Sequence, residues 1–115
     1  MSEAVVEHIE GISVVVLPRR VDVNNTNGFM DAARAELSAG QHDIVLDLGA
    51  TETIDSTALG AVVQLFKSLR AHGGELRIAR ASDSVRRVFA ITRLDHVFET
   101  FETLDDAVRA SQRPS

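Results

Sequence analysis

The sequence predicts an α/β fold, a mixed sheet of about five strands with about four helices, and three observations carry that expectation. Apolar runs of strand length, rich in branched side chains, stand at residues 12–17 and 44–48, and a short strand is read at 75–79. A segment with apolar residues at helical spacing follows each run. After an opening hairpin, strands and helices alternate, the order that feeds parallel strands through helical crossovers.

Residues 4–9 alternate weakly, Glu10 and Gly11 offer a turn, and residues 12–17 make the buried strand of an antiparallel hairpin. Pro18 stops that strand. Asn24, Asn25, Thr26, Asn27 and Gly28 are turn and cap formers and open a helix. Phe29, Ala32, Ala33 and Leu37 recur along its inner side, Asp31, Arg34 and Glu36 lie opposite, and Gly40 closes it. The strand at 44–48 leads into a central helix that ends at His72, Gly73 and Gly74, since glycine best tolerates a left-handed cap. Past the strand at 75–79, Ser82, Asp83 and Ser84 start a helix with Val85, Val88, Phe89 and Thr92 on one side and Arg86 and Arg87 facing out. Residues 95–101 read as the final strand. Thr103 with Asp106 three residues on approximates a capping box for a last helix over 104–110, and residues 111–115 are expected to fray.

Composition narrows the function. The chain of 115 residues fits one domain over 1–115, and a hydrophobic share of 44% supplies a core without metal or disulfide staples. The absence of cysteine removes thiol catalysis and thiolate metal sites. A formal charge of −5 with 4% aromatic residues argues against nucleic acid, which asks for basic faces and stacking rings. No apolar run approaches the roughly 20 residues of a membrane span, and residues 1–10 lack the order of a signal peptide, so a cytoplasmic protein with no membrane contact is expected.

The central helix offers the site. Asp55, Ser56 and Thr57 follow the strand, and acids and hydroxyls accept the orphan N–H groups at a helix start, so Ser56 or Thr57 falls on the N-cap or first turn. The macrodipole there tolerates a phosphate. Further on, Leu59, Val62, Val63, Phe66 and Leu69 can share the face toward the sheet, which strands Ala58, Ala61 and Leu65 on the far side. Either a second helix covers those three or they form a docking patch beside Ser56. A hydroxyl beside a docking patch makes a switch, because a phosphate adds close to two negative charges next to Asp55.

The run from Ile54 through Asp55, Ser56, Thr57, Ala58, Leu59 and Gly60 resembles the phosphorylation motif of bacterial anti-sigma-factor antagonists, the STAS-domain family, with its Asp-Ser-Ser/Thr-Gly-Leu-Gly core. The strand at 44–48, Gly73 and Gly74 with the strand after them, the Val85 to Phe89 segment and the Ile91 to Leu94 turn extend the resemblance over roughly residues 12–110. The resemblance implies a STAS-like sheet with helices mainly on one face and a partner-switching cycle. Unphosphorylated, such a protein binds an anti-sigma factor that is also a serine kinase of the histidine-kinase-like ATPase fold, freeing a sigma factor or other client. The kinase uses Mg-ATP to phosphorylate the serine after the motif Asp, here Ser56 and less so Thr57, and a PP2C-type phosphatase resets it. The chain itself would be monomeric when free, hold no cofactor or metal, and carry no catalysis. By the same resemblance Asp55 positions the hydroxyl, Thr57 caps or acts as a minor acceptor, and Gly60 permits close approach. The partner surface is expected to comprise Asp22, Asn24, Asp55, Ser56, Thr57, Ala58, Ala61 and Leu65. Two departures stand out: Ala58 replaces the usual Gly, and Arg19 and Arg20 reverse the charge before Asp22 on a loop expected near Ser56.

Rival readings are weaker. Asp22, Asp47 and Asp55 suggest a receiver domain, yet the acidic pair after the first strand and the Lys after the last are missing; cap, turn and solvated strand end are the duller roles of these acids. A hydrolase using Ser56 needs a general base and a tight elbow, whereas His8, His42, His72 and His96 are scattered with no acid at motif spacing. The other reading within the family is a non-switching STAS module: the cytosolic subunit of a lipid-transport ATPase complex, or a small-ligand sensor.

Overall fold

The structure, a computed structural model, describes residues 4–112. Its strands are β1 (Val5–Ile9), β2 (Ile12–Val16), β3 (Arg20–Val21), β4 (Asp43–Asp47), β5 (Thr53–Ile54), β6 (Glu75–Ala79) and β7 (Glu99–Phe101). Its helices are α1 (Thr26–Ser38), α2 (Ser56–Ala71), α3 (Asp83–Ile91) and α4 (Leu104–Ser111), with a 3-10 turn at Leu94–His96. Five strands form one sheet in the order β1-β2-β4-β6-β7. Only β1 and β2 are antiparallel, and they are joined through Glu10 and Gly11, both at positive φ (50° and 83°) as a two-residue hairpin turn requires. The parallel strands follow from the helical crossovers, as expected.

Alternation along the strands divides the core into two layers. Val15, Ile44, Leu46, Leu76 and Ile78 face a large cluster with Phe29, Met30 and Ala33 of α1, Leu59, Val62 and Leu69 of α2, and Val85 and Phe89 of α3. Ile12, Val14, Val45 and Ala79 face Ala107 and Val108 of α4 alone. Helices thus pack mainly on one face, with α4 by itself on the other.

The end of α2 is set by two glycines with different tasks. Gly73 adopts φ 81°, and the Gly74 N–H returns to the Leu69 carbonyl at 2.8 Å, satisfying the last turn. At Gly74 a Cβ would lie 1.7 Å from the His42 carbonyl oxygen, so only glycine lets the start of β6 run beside that backbone.

Several expectations are corrected. Residues 95–101 are not one strand: Arg93 turns left-handed at φ 62°, a 3-10 turn follows, and β7 starts at Glu99. The cause is Phe98, which turns into the core edge-on to Phe66 and Phe89, with centroids 5.6 and 5.7 Å away. Each such pair is worth about 0.5–1.5 kcal/mol beyond area burial. Glu36 does not face away: its carboxylate accepts a 2.6 Å bond from the buried Ser13 hydroxyl and a 2.5 Å contact from His8. Asp47 is not a solvated strand end but 2% exposed, gripped by Arg80 through Nε at 3.0 Å and Nη2 at 2.6 Å. Fraying does not begin at Ser111, whose hydroxyl bonds the Ala107 carbonyl and receives Arg77, while Gln112 donates to the Glu10 carbonyl. The expectation for 113–115 lies outside the described residues.

Candidate functional site

The site is built where β4 and its following turn deliver the chain to α2. Asp55 is extended at φ −93° and ψ 176° and caps the helix, its Oδ1 accepting the Ala58 N–H at 2.8 Å. A carboxylate does this better than a hydroxyl here because its charge also meets the positive end of the macrodipole. Of the two places expected for Ser56 and Thr57, N-cap or first turn, they take the first turn. Ser56 and Thr57 are the first two helical residues, both exposed, with neither hydroxyl consumed by capping.

The second carboxylate oxygen of Asp55 does a different job, accepting the Val23 N–H at 3.1 Å. The Asp55 N–H in turn donates to the Val21 carbonyl at 3.0 Å. These bonds extend the small parallel pair of β3 and β5, in which Arg20 lies opposite Thr53 and Val21 opposite Ile54. The loop carrying Asp22 and Asn24 is thereby brought beside Ser56, as the sequence led one to expect. Within that loop Asp22 is a turn former: its side chain accepts the Asn24 N–H, and its carbonyl accepts both the N–H and the hydroxyl of Thr26. Asn24 stays exposed, and Val23 is 62% exposed. Arg19 pairs with Glu52 at 2.8 Å on the rim, an exposed contact worth under about 1 kcal/mol.

Between α1 and α2 lies an open groove of about 320 Å³, bounded by Thr26, Met30 and Arg34 on one wall and Ser56, Gly60 and Gln64 on the other, with Thr57 and Ala61 alongside. Arg34 is the one charged residue lining it. The partner set read from the sequence divides here. Asp55, Ser56 and Thr57 share the start of α2, Asp22 and Asn24 lie in the adjoining loop, and Ala61 lines the groove. Ala58 and Leu65, expected on the far side of α2, are instead 0% and 1% exposed within the main core, because α1 packs against α2 and covers that side. The covering-helix reading holds for those two.

Met30, Arg34 and Gln64 were missed as site residues, while Gly60, expected to permit close approach, lies on the groove wall with Gln64. Their signal was available: each pair is spaced i, i+4, so each lies on one helix face, but only the packing of α1 on α2 shows that the two faces meet. None of the four histidines lines the groove, and no cluster of ligands suited to a metal occurs among the described residues. No helix among them is long and apolar enough to cross a membrane.

This fold is that of a STAS domain, and the chain belongs to that family: the STAS domain matches residues 3–107. Several relatives are described as anti-sigma factor antagonists. A Thermotoga maritima protein described as a candidate anti-sigma factor antagonist is 29% identical over 102 residues, covering 87% of this chain and 90% of that one. The anti-sigma-B factor antagonist of Listeria monocytogenes is 45% identical over 58 residues, about half of each chain (49% and 51%). The crystal structure of an anti-sigma factor antagonist from Mycobacterium paratuberculosis superposes with a TM-score of 0.87 at 26% identity, covering 98% of this chain and 96% of that chain.

Proposed function

We propose that this protein is the antagonist in a partner-switching module, binding an anti-sigma factor that is also a serine kinase and losing that partner once Ser56 is phosphorylated. One observation carries the reading: Asp55 meets the helix's capping need and leaves the Ser56 hydroxyl exposed at the mouth of a groove. In the transfer, Ser56 Oγ attacks the γ-phosphorus of the kinase's Mg-ATP and gives up its proton. The bond from that phosphorus to the β,γ-bridging oxygen breaks, and ADP leaves. The product carries about 1.5–2 negative charges at neutral pH beside the Asp55 carboxylate, and a partner shaped for the neutral hydroxyl would have to desolvate both. A PP2C-type phosphatase restores the hydroxyl. The partner surface is the loop at Asp22, Val23 and Asn24, the start of α2, and Ala61.

The test is incubation with the cognate kinase and Mg-ATP followed by mass mapping. One phosphate on Ser56 is expected, with Ser56→Ala remaining bound to the kinase and Ser56→Asp failing to bind. A phosphate mapped elsewhere overturns the site assignment.

A further inference from the structure

We propose that Arg34 is a phosphate clamp, pairing across the groove with the phosphate on Ser56 so that the modified protein fills its own docking groove. The inference rests on Ser56 being the modified residue. Arg34 projects from α1 and Ser56 from α2, and both line the same groove of about 320 Å³. Packed helices lie about 8–10 Å apart axis to axis, a span that an arginine side chain reaching from one wall and a phosphoserine from the other can close. The chemistry of the lining favours an anion: Asn27, Thr57 and Gln64 are neutral donors, Arg34 brings the positive charge, and no carboxylate takes part.

The charges nearby are accounted for. The Asp55 carboxylate is engaged with the Val23 and Ala58 N–H groups, the Asp22 carboxylate accepts the Asn24 N–H, and neither Asp22 nor Asp31 lines the groove. Arg19 pairs with Glu52, Arg70 with Glu75, Arg77 with Asp43 and Glu99, and Arg80 with Asp47, while Arg20, in the neighbouring β3, does not line the groove. Arg34 has no ion pair among the described residues. A guanidinium is also suited to the task, since its planar fork meets a phosphate with two parallel donors.

The consequence is that phosphorylation does more than repel. It ties α1 to α2 and takes from the partner the groove between them.

The experiment installs phosphoserine at position 56 during translation and follows the phosphate by phosphorus NMR against pH. A paired guanidinium favours the dianion, so Arg34→Gln is expected to raise the second phosphate midpoint by about half a pH unit, with Arg34→Lys in between. Arg34 is exposed, so both variants keep the fold. Identical midpoints in all three proteins overturn the clamp and leave the phosphate to the amides at the start of α2, which the substitutions do not touch. Because no kinase is used, this outcome is separate from the mapping experiment above: a kinase that ignores Ser56 sinks the switch, and equal midpoints sink the clamp.

Discussion

Val23 and Asp55, thirty-two positions apart in the chain, are joined by a 3.1 Å hydrogen bond from a backbone N–H to the carboxylate that caps α2. The same side chain therefore starts α2 and fixes the loop beside it. Replacing Asp55 with Ala removes both bonds, and a loss of about 2 kcal/mol is expected from the cap and the loop contact together. Asn keeps a single acceptor oxygen and so loses about half as much. Urea unfolding of the two variants checks the order, and equal losses would show that only one of the bonds matters.

Gly60 gives a prediction in which stability and binding move in opposite directions. A Cβ there meets nothing within 4 Å, and alanine in a helix interior is about 1 kcal/mol better than glycine. Gly60→Ala is expected to stabilise the fold by up to that amount and to weaken binding of the proposed kinase partner about tenfold or more, since the open space lies on the groove wall. Calorimetric titration together with a urea midpoint tests it. Unchanged affinity would remove Gly60 from the contact surface. At Gly74 the opposite is expected, because there the added Cβ meets the His42 backbone rather than solvent.

Asp47 and Arg80 form an unequal pair, the acid 2% exposed and the arginine side chain half out at 50%. The guanidinium lies over Gly49, whose N–H also donates to Asp47, and the pairing pushes the Arg80 pKa up, first through the hydrogen bond to Asp47 and then through its charge. Arg80→Ala leaves the buried carboxylate with that one amide, and a loss of about 2–3 kcal/mol is expected by urea unfolding. Arg80 sits at φ 61°, so Arg80→Gly recovers a part of that loss through its backbone.

Glu36 predicts an acid-side response. The hydrogen bond from Ser13 holds its carboxyl below the ordinary 4.5, helped by His8 and opposed by burial. A carboxylate whose pKa is lower folded than unfolded stabilises the fold fully above the ordinary value and loses that contribution as pH falls through the folded one. Ser13→Ala is expected to cost about 1–2 kcal/mol at pH 7, with the gap to the parent narrowing below pH 4.5. Urea midpoints taken from pH 7 down to pH 3 measure the gap, and a gap independent of pH would exclude Glu36 as its source.

Local sequence signals carried most of the fold. Residues 44–48 and 75–79, the caps at Ser82 and Thr103, and the glycine stop at Gly73 act through their immediate neighbours, and all stand as expected. What escaped was settled at a distance. The strand expected over 95–101 gave way to the pull of Phe98 into a ring cluster with Phe66 and Phe89. The two-residue strands β3 and β5 are too short to leave a periodic signal and exist because the loops are held together. At the site, the helix start at Asp55 and Ser56 was legible because capping chemistry is local, though not which of the polar residues there caps. The fate of Ala58 and Leu65 was not, because periodicity gives the apolar faces of α2 but not which neighbour fills them.

The lashing of the Asp22 turn to the mouth of α2 bears on how a partner is met. Asn25 donates its amide to the Arg20 carbonyl and accepts the Asp22 N–H, so the rim is already in one conformation before anything docks. A partner docking here as proposed would therefore lose little ordering entropy at this edge, meeting a preorganised surface instead of a loop that must freeze on contact.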